Sequence, residues 1–288
     1  MEGTAKPHVL AAVDLTPLGR RVADRARLVA ETLGIDLELF HVIEPMSEAF
    51  VADEVGDLLR RHRRQATEEM AAWVRSRTDR GVGVADKKGS PVWEIARASK
   101  SAEITVIGTS TVDHGRVGPV ARSVCEAARS HVLLVRRQPR VPYRNVIVAC
   151  DFSEASMRAV ELAMALAPGA RKTLVFALPT RFDAYMADAG MFPEEIESAR
   201  RSRMSTATTA LESFADRWEG ISPMVVDGPP IEALGEVIRR RSADLLVASS
   251  RGAGATRLTL LGTITAGLIE AAPCDVAIAR VAADFRRP

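Results

Sequence analysis

The strongest constraint on the fold is an internal repeat, because the second half of the chain has the same order of sequence patterns as the first. The segment HVLAAVDLTPLGRRVADRARLVAETLG at 8–34 corresponds to NVIVACDFSEASMRAVELAMALAPG at 145–169. In both, an apolar run is followed by Asp, a polar turn, an amphipathic stretch and Gly, and Asp14 and Asp151 hold equivalent positions. A repeat of this length makes each half a folding unit of its own.

Each half alternates short aliphatic runs with longer stretches of helical periodicity. This alternation predicts parallel strands joined by crossover helices. We therefore predict an α/β fold with two tandem doubly wound domains, each a five-stranded parallel sheet with flanking helices in strand order 3-2-1-4-5. The prolines and charges of RRQPRVPYRN at 136–145 interrupt the periodicity as a linker would, which predicts domains at 1–140 and 141–288.

The composition, with 47% hydrophobic and 26% charged residues, is that of an ordinary globular protein. A formal net charge of +2 is too small to indicate nucleic-acid binding, and no apolar run is long enough to span a bilayer. The three cysteines are odd in number and far apart, and the five histidines lack a metal-ligand spacing. The sequence thus predicts a cytoplasmic protein with no nucleic-acid, membrane or metal partner of its own.

A glycine-containing segment, ASSRGAGATRLTLLGTIT at 248–265, follows the predicted fourth strand of the second half. Ligands of open α/β sheets bind beyond the carboxyl ends of the strands where the strand order reverses, which here lies between strands one and four. Asp151 ends strand one, so we expect it to share a cleft with this segment. Glycine N–H groups and a helix beginning near Gly262 and Thr263 form an anion site suited to phosphate.

This segment is neither a P-loop nor a dinucleotide fingerprint, because it lacks Gly-Lys-Ser/Thr and the turn after strand one lacks G-x-G-x-x-G. Arg251 adjoins Gly252, and its guanidinium could bind phosphate oxygens. A solvated surface arginine is the alternative interpretation. Asp14 and Asp151 could likewise only cap their helices, an interpretation that we favour for Asp14.

Ser249, Gly252 and the pair Gly262-Thr263 are separated by two and nine residues respectively. This spacing resembles the universal stress protein family, whose nucleotide-binding members carry Gly, two residues, Gly, nine residues and then Gly-Ser or Gly-Thr. Only the first glycine is replaced here. The strings VDLT and CDFS after the first strands, and APCDVAIAR at the last strand, extend the resemblance over nearly the whole chain.

The resemblance implies that the second domain binds an adenine nucleotide, ATP or AMP, with or without Mg²⁺. In such relatives the Asp after strand one contacts adenine or ribose, the end of strand two frames the base, and the glycine loop holds the phosphates. The implied binding residues are Asp151, Ala177, Ser249, Arg251, Gly252, Gly262, Thr263 and Ile264. The resemblance also implies a stress-response sensor or binding module that forms a homodimer and acts on an unidentified protein partner.

The first half departs from the family pattern in its glycine loop. GTSTVDHGRVGPVARSV begins with Gly108, but Thr111 holds the place of the second glycine. If Gly118 is matched to Gly262, the loop spans ten positions from Gly108, whereas its counterpart spans thirteen. Pro119 then removes both an O–H and an N–H donor. We therefore expect this half to resemble the family branch that lacks ATP binding.

Three other functions stay open: a slow ATPase, a phosphorelay receiver, and a scaffold or apolar-ligand protein in which both sites are vestigial. Hydrolysis usually needs a metal-orienting acid or a base, and the loop contains neither. A receiver needs an acidic pair after strand one, but Asp14 and Asp151 each stand alone, and Arg136 and Arg280 replace its lysine. We expect no catalytic residues and at most weak ATP hydrolysis.

Overall fold

The computed structural model describes residues 6–44, 53–109, 117–139, 141–251 and 261–280. The chain divides into two compact units. One unit comprises Met1–Pro142 with Arg280–Pro288, and the other comprises Tyr143–Ala279.

The first domain is a parallel sheet with strand order β3-β2-β1-β4-β5. Helices connect successive strands, so the order 3-2-1-4-5 predicted from the sequence is confirmed. The elements are β1 (His8–Ala12), α1 (Pro17–Leu33), β2 (Asp36–Ile43), α2 (Asp53–Arg75), β3 (Val82–Lys88), α3 (Pro91–Ala98), β4 (Ile104–Gly108), α4 (Pro119–Ala127) and β5 (His131–Val135).

The second domain repeats this arrangement, with parallel strands in the order β8-β7-β6-β9-β10. A short helix, α6, follows its second strand, and the corresponding segment of the first domain, 45–52, lies outside the described residues. The elements are β6 (Asn145–Cys150), α5 (Glu154–Leu166), β7 (Arg171–Leu178), α6 (Arg181–Asp188), α7 (Pro193–Ala215), β8 (Ile221–Asp227), α8 (Pro230–Arg240), β9 (Leu245–Ser249), α9 (Thr263–Ala271) and β10 (Asp275–Ala279).

Side-chain caps fix where the first helix of each domain begins. The Thr16 hydroxyl accepts hydrogen bonds from the N–H groups of Leu18 and Gly19 at 3.2 and 3.5 Å. The Ser153 hydroxyl accepts one from the Ser156 N–H at 3.3 Å. Each cap satisfies N–H groups that have no acceptor inside the helix. The chain therefore turns from strand to helix within four residues of each strand-one Asp.

The core of each domain lies between the sheet and its helices. All residues of β9 are buried, as are the middle residues of β1, because helices cover both faces of a parallel sheet. On α1, the buried residues Val22, Ala26 and Val29 recur at helical spacing and face the sheet. Among the described residues, no helix is long and apolar enough to cross a membrane.

Candidate functional site

A cavity of about 380 Å³ lies in the second domain at the carboxyl ends of β6 and β9. This is the point where the strand order of the sheet reverses, and where ligands of such folds bind. Gly252 lies outside the described residues. The predicted site residues that line the cavity are Asp151, Ala177, Ser249, Gly262, Thr263 and Ile264.

Asp151 organises the turn that leads from β6 into α5. Its Oδ1 accepts hydrogen bonds from the Ser153 N–H at 3.1 Å, the Ser153 hydroxyl at 2.5 Å and the Ser156 hydroxyl at 2.6 Å. The Ser156 hydroxyl also accepts from the Asp151 N–H at 3.0 Å. These hydrogen bonds from the turn and the first residues of α5 hold Oδ1, and they fix the orientation of the Asp151 side chain at the cavity.

Phe152 has a backbone φ of +64°, in the left-handed region that bulky residues rarely adopt. Such a conformation costs on the order of 1–3 kcal/mol and persists only where the surroundings hold it. Here the Phe152 ring packs against Phe176 and Phe214, with ring centroids 4.6 and 6.1 Å apart. Because Phe176 also lines the cavity, this aromatic cluster couples the position of Asp151 to an apolar cavity wall.

Cys150 is the last residue of β6 and lines the cavity beside Asp151. Burial raises the pKa of its thiol to about 11, against a hydrogen bond from the Phe152 N–H that lowers it. The thiol is therefore protonated at neutral pH. A protonated, buried thiol contributes an apolar surface to the cavity and is a poor nucleophile.

The opposite side of the cavity is formed by the beginning of α9. Gly262 is the N-cap residue, and no side chain in the described part of the chain caps this helix. The Gly262 N–H donates to Ser250 O at 2.9 Å, and the Thr265 hydroxyl donates to Ser249 O at 2.8 Å. The N–H groups left without an intrahelical acceptor are those of the first helical turn, beginning with Thr263 and Ile264.

Ser249 is the last residue of β9, and Arg251 follows it two residues later. The Ser249 side chain is buried, and its hydroxyl donates to Arg251 O at 2.8 Å, so that it is directed at its own loop. The Arg251 side chain is not among the described residues that line the cavity. Its Nε is buried and has no hydrogen-bond partner within the described ranges. Arg251 therefore lies beside the cavity rather than in its wall.

The first domain contains a cavity of about 390 Å³ in the equivalent place, at the ends of β1 and β4. Its helix α4 begins with Gly118 as N-cap and Pro119 in the first turn, so one N–H group of that turn is missing. Thr111 lies outside the described residues. The cavity thus retains its size, while the helix end that faces it has lost a donor.

The last residue of the fourth strand is Gly108 in the first domain and Ser249 in the second, and the helix packed beside it also differs. A Cβ added to Gly108 would lie 2.9 Å from Cγ and 3.0 Å from Cδ2 of Leu18. The second domain has Ser249 in place of Gly108, and Ala155 in place of Leu18. The smaller residue on α5 leaves room for the serine side chain. Replacement of the family glycine by Ser249 is therefore accommodated by the helix beside it.

Comparison with known proteins places both halves of the chain in one protein family. The sequence model of the universal stress protein family matches residues 7–136 and 142–280. Universal stress protein Rv1636 from Mycobacterium tuberculosis H37Rv is 31% identical over 144 residues, which are 47% of this chain and 95% of that protein.

Two solved structures show the same fold over nearly the whole chain. A universal stress protein from Archaeoglobus fulgidus DSM 4304 has a TM-score of 0.69 at 19% identity, over 95% of this chain and 96% of that one. The protein PA1789 from Pseudomonas aeruginosa PAO1, described as functionally unknown, has a TM-score of 0.61 at 14% identity, over 97% and 94%. With the family model matched once in each half, this chain belongs to the universal stress protein family, as a member with two tandem domains.

Proposed function

We propose that the second domain binds an adenine nucleotide, ATP or AMP, and that the protein acts as a sensor or binding module in a stress response. One observation carries the proposal. A cavity of about 380 Å³ has Asp151 on the β6 side and, on the β9 side, the N-terminus of α9, which no described side chain caps. That volume falls within the range of small-molecule sites.

The phosphates are assigned to the α9 end of the cavity. The N–H groups of Thr263 and Ile264 and the positive end of the helix dipole favour an anion there. The Thr263 side chain is exposed, so its hydroxyl can add a further donor. Gly262 contributes chiefly by having no side chain at the helix entrance, since its N–H is bonded to Ser250 O.

The base and ribose are assigned to the opposite end, beside Asp151 and Ala177. The wall there is largely apolar and includes Phe176 and Leu234, which suits an aromatic base. A carboxylate only accepts hydrogen bonds, so Asp151 is matched to a ribose hydroxyl or to the exocyclic amine of adenine.

The surroundings of the cavity favour binding over hydrolysis. Asp151 is the only Asp, Glu or His among the described lining residues, and its Oδ1 already accepts three hydrogen bonds from the turn. The described residues hold no group of three or more His, Cys, Asp or Glu side chains placed to bind a metal ion. We therefore assign Mg²⁺ no protein ligands and treat it as part of the bound nucleotide complex.

Calorimetric titration with ATP, AMP and adenosine at up to millimolar concentration tests the proposal. We expect one nucleotide per chain, and weaker binding of adenosine because it has no phosphate to contact α9. No binding of either nucleotide would disprove the proposal and leave the scaffold or apolar-ligand function. Mass spectrometry of denatured protein gives a second measurement, since a co-purified adenine nucleotide would support the same site.

Two further measurements address the finer parts of the proposal. Phosphate release from ATP that exceeds that of a Gly252 variant would establish a slow ATPase in place of a binding module. We also propose that the protein forms a homodimer, and a light-scattering mass equal to one chain at micromolar concentration would exclude this.

A further inference from the structure

The cavity of the first domain combines apolar walls with three hydrogen-bond acceptors. Its volume is about 390 Å³, and aliphatic side chains such as Ile95 and Ile107 form much of its wall. Asp14, His41 and Glu44 are its titratable lining residues in the described part of the chain. Asp14 and Glu44 follow β1 and β2, and His41 lies two residues before the end of β2, so all three are at the carboxyl ends of these strands.

His41 supplies a buried acceptor. The residue is 8% exposed, and its Nδ1 lies 2.9 Å from Val13 O. A carbonyl oxygen only accepts, so Nδ1 carries a proton, and in the neutral ring Nε2 is left with a lone pair. No other described group bonds to this ring. A buried imidazole that lines a cavity, with one nitrogen that no described residue bonds, is a partner for a ligand N–H.

The two carboxylates add negative charge at the same end. Asp14 uses Oδ1 for the turn into α1, where it accepts from the N–H groups of Thr16 and Gly19 at 3.2 and 3.0 Å. Its Oδ2 accepts no hydrogen bond from the described residues, and Glu44 forms neither a hydrogen bond nor an ion pair with them. Two carboxylates therefore face this cavity without a cation from the described chain.

The equivalent positions of the second domain carry different chemistry. His41 is replaced by Phe176 and Glu44 by Pro179, both of which line the second cavity. The N–H donor lost at Pro119 has no replacement among the described residues at the start of α4. The start of α4 keeps the N–H groups of Val120 and Ala121 at the first cavity, one fewer than α9 has at the second. The main difference is therefore the negative charge of Asp14 and Glu44, which disfavours a phosphate in the first cavity.

We propose that the first domain binds a small organic cation, a primary amine or amidine on a compact apolar body, with its charged end between Asp14, His41 and Glu44. An ammonium or amidinium group donates hydrogen bonds and accepts none, which matches the three acceptors. The aliphatic wall accommodates the apolar body, and the volume suits a molecule of one or two rings. This assignment goes beyond the nucleotide site of the second domain and does not depend on it.

The test uses the full chain with isotope-labelled isoleucine methyl groups at low ionic strength, where charge contributes most. Benzylamine, benzyl alcohol and benzoate are probes of one shape with a positive, zero and negative charge. Ile95 and Ile107 report on the first cavity, and Ile264 reports on the second. We expect saturable shifts of the Ile95 and Ile107 methyl signals with benzylamine, and at least about tenfold weaker binding of the other two probes.

Charge-removing variants complete the test. Asp14→Asn keeps the oxygen that accepts from Gly19, and Glu44 is exposed, so both variants are compatible with the fold. We expect Asp14→Asn with Glu44→Gln to weaken benzylamine binding at least about tenfold, while the matched control Glu219→Gln, an exposed carboxylate of the second domain, leaves it unchanged.

Three results would overturn the proposal. These are equal binding of benzylamine and benzoate, equal affinity in the double variant and the wild type, and benzylamine shifts at Ile264 with none at Ile95 and Ile107. Should Asp14→Asn disturb the fold, Glu44→Gln alone decides. The nucleotide titration reports on the other domain, so its failure is a separate result.

Discussion

Placing a carboxylate at the N-cap of α9 should abolish nucleotide binding, while the same change at the N-cap of α4 should not. Gly262 and Gly118 are the N-cap residues of these helices, with φ/ψ of −68°/149° and −67°/162°. Aspartate adopts this extended conformation readily and is among the preferred N-cap residues. Gly262→Asp and Gly118→Asp are therefore a matched pair in which neither change strains the backbone.

The size of the effect follows from what the new carboxylate does at α9. An N-cap carboxylate accepts from the N–H of the second or third helical residue, here Ile264 or Thr265, and so occupies the proposed phosphate position. Two unit charges about 4 Å apart repel by about 4 kcal/mol at an effective dielectric constant of about 20. This corresponds to about a thousandfold loss of affinity, before screening by salt reduces it.

Calorimetry with ATP on both variants and on Gly262→Asn provides the assay. The asparagine has nearly the same size and capping ability without the charge, so it should lose much less affinity than the aspartate. We expect Gly118→Asp to bind one nucleotide per chain as the wild type does. A stoichiometry of two nucleotides per chain, or loss of binding in Gly118→Asp alone, would refute the conclusion that only the second domain binds nucleotide.

Three further predictions concern packing and ionisation. Gly108→Ala should lower the free energy of unfolding by about 1–3 kcal/mol, because the new methyl group meets Leu18, and denaturant unfolding should show non-additivity with Leu18→Ala. Cys150 should react slowly with iodoacetamide at pH 8, and labelling of the peptide that contains it should become faster only as pH approaches the raised pKa of about 11. Rapid labelling at pH 8 would contradict burial of the thiol. Glu38, whose carboxylate lies 3.4 Å from His8, raises the pKa of His8. Because the pKa of His8 is higher in the folded than in the unfolded state, this stabilisation is present below about pH 6.5 and is lost as pH rises through the raised pKa. Urea unfolding should therefore show that His8→Gln destabilises the protein more at pH 5.5 than at pH 8.5.

The fold could be predicted from the sequence because its signals are periodic and occur twice. Alternating aliphatic and amphipathic stretches identified parallel strands with crossover helices, and the equivalence of Asp14 and Asp151 set the register of the repeat. The strand order was then confirmed in both domains. The short helix α6 was not foreseen, because it has only eight residues, too few for a clear periodicity, and none of them is buried.

The details of the sites could not be predicted, because they depend on contacts between segments distant in sequence. The sequence suggested the Gly262 N–H as a phosphate donor, whereas the fold bonds it to Ser250 O. It gave no sign that Phe176 and His41 line the cavities, since each cavity forms only where the ends of strands distant in sequence meet. The effect of Ser249 depends on Ala155, a residue on another element, and no local pattern reveals that compensation.

Cavity size and cavity polarity vary independently in this protein. The volumes of about 390 and 380 Å³ are set by backbone features that both halves share, namely the reversal of strand order and a helix that begins with a glycine N-cap. Polarity is set by a few side chains at the ends of the strands. The first domain has His41 and Glu44 at the positions where the second domain has Phe176 and Pro179. The two domains share the fold although these positions carry different side chains. Loss of a phosphate loop is therefore insufficient reason to regard a domain as having lost ligand binding, since the cavity that remains can accept a ligand of opposite charge.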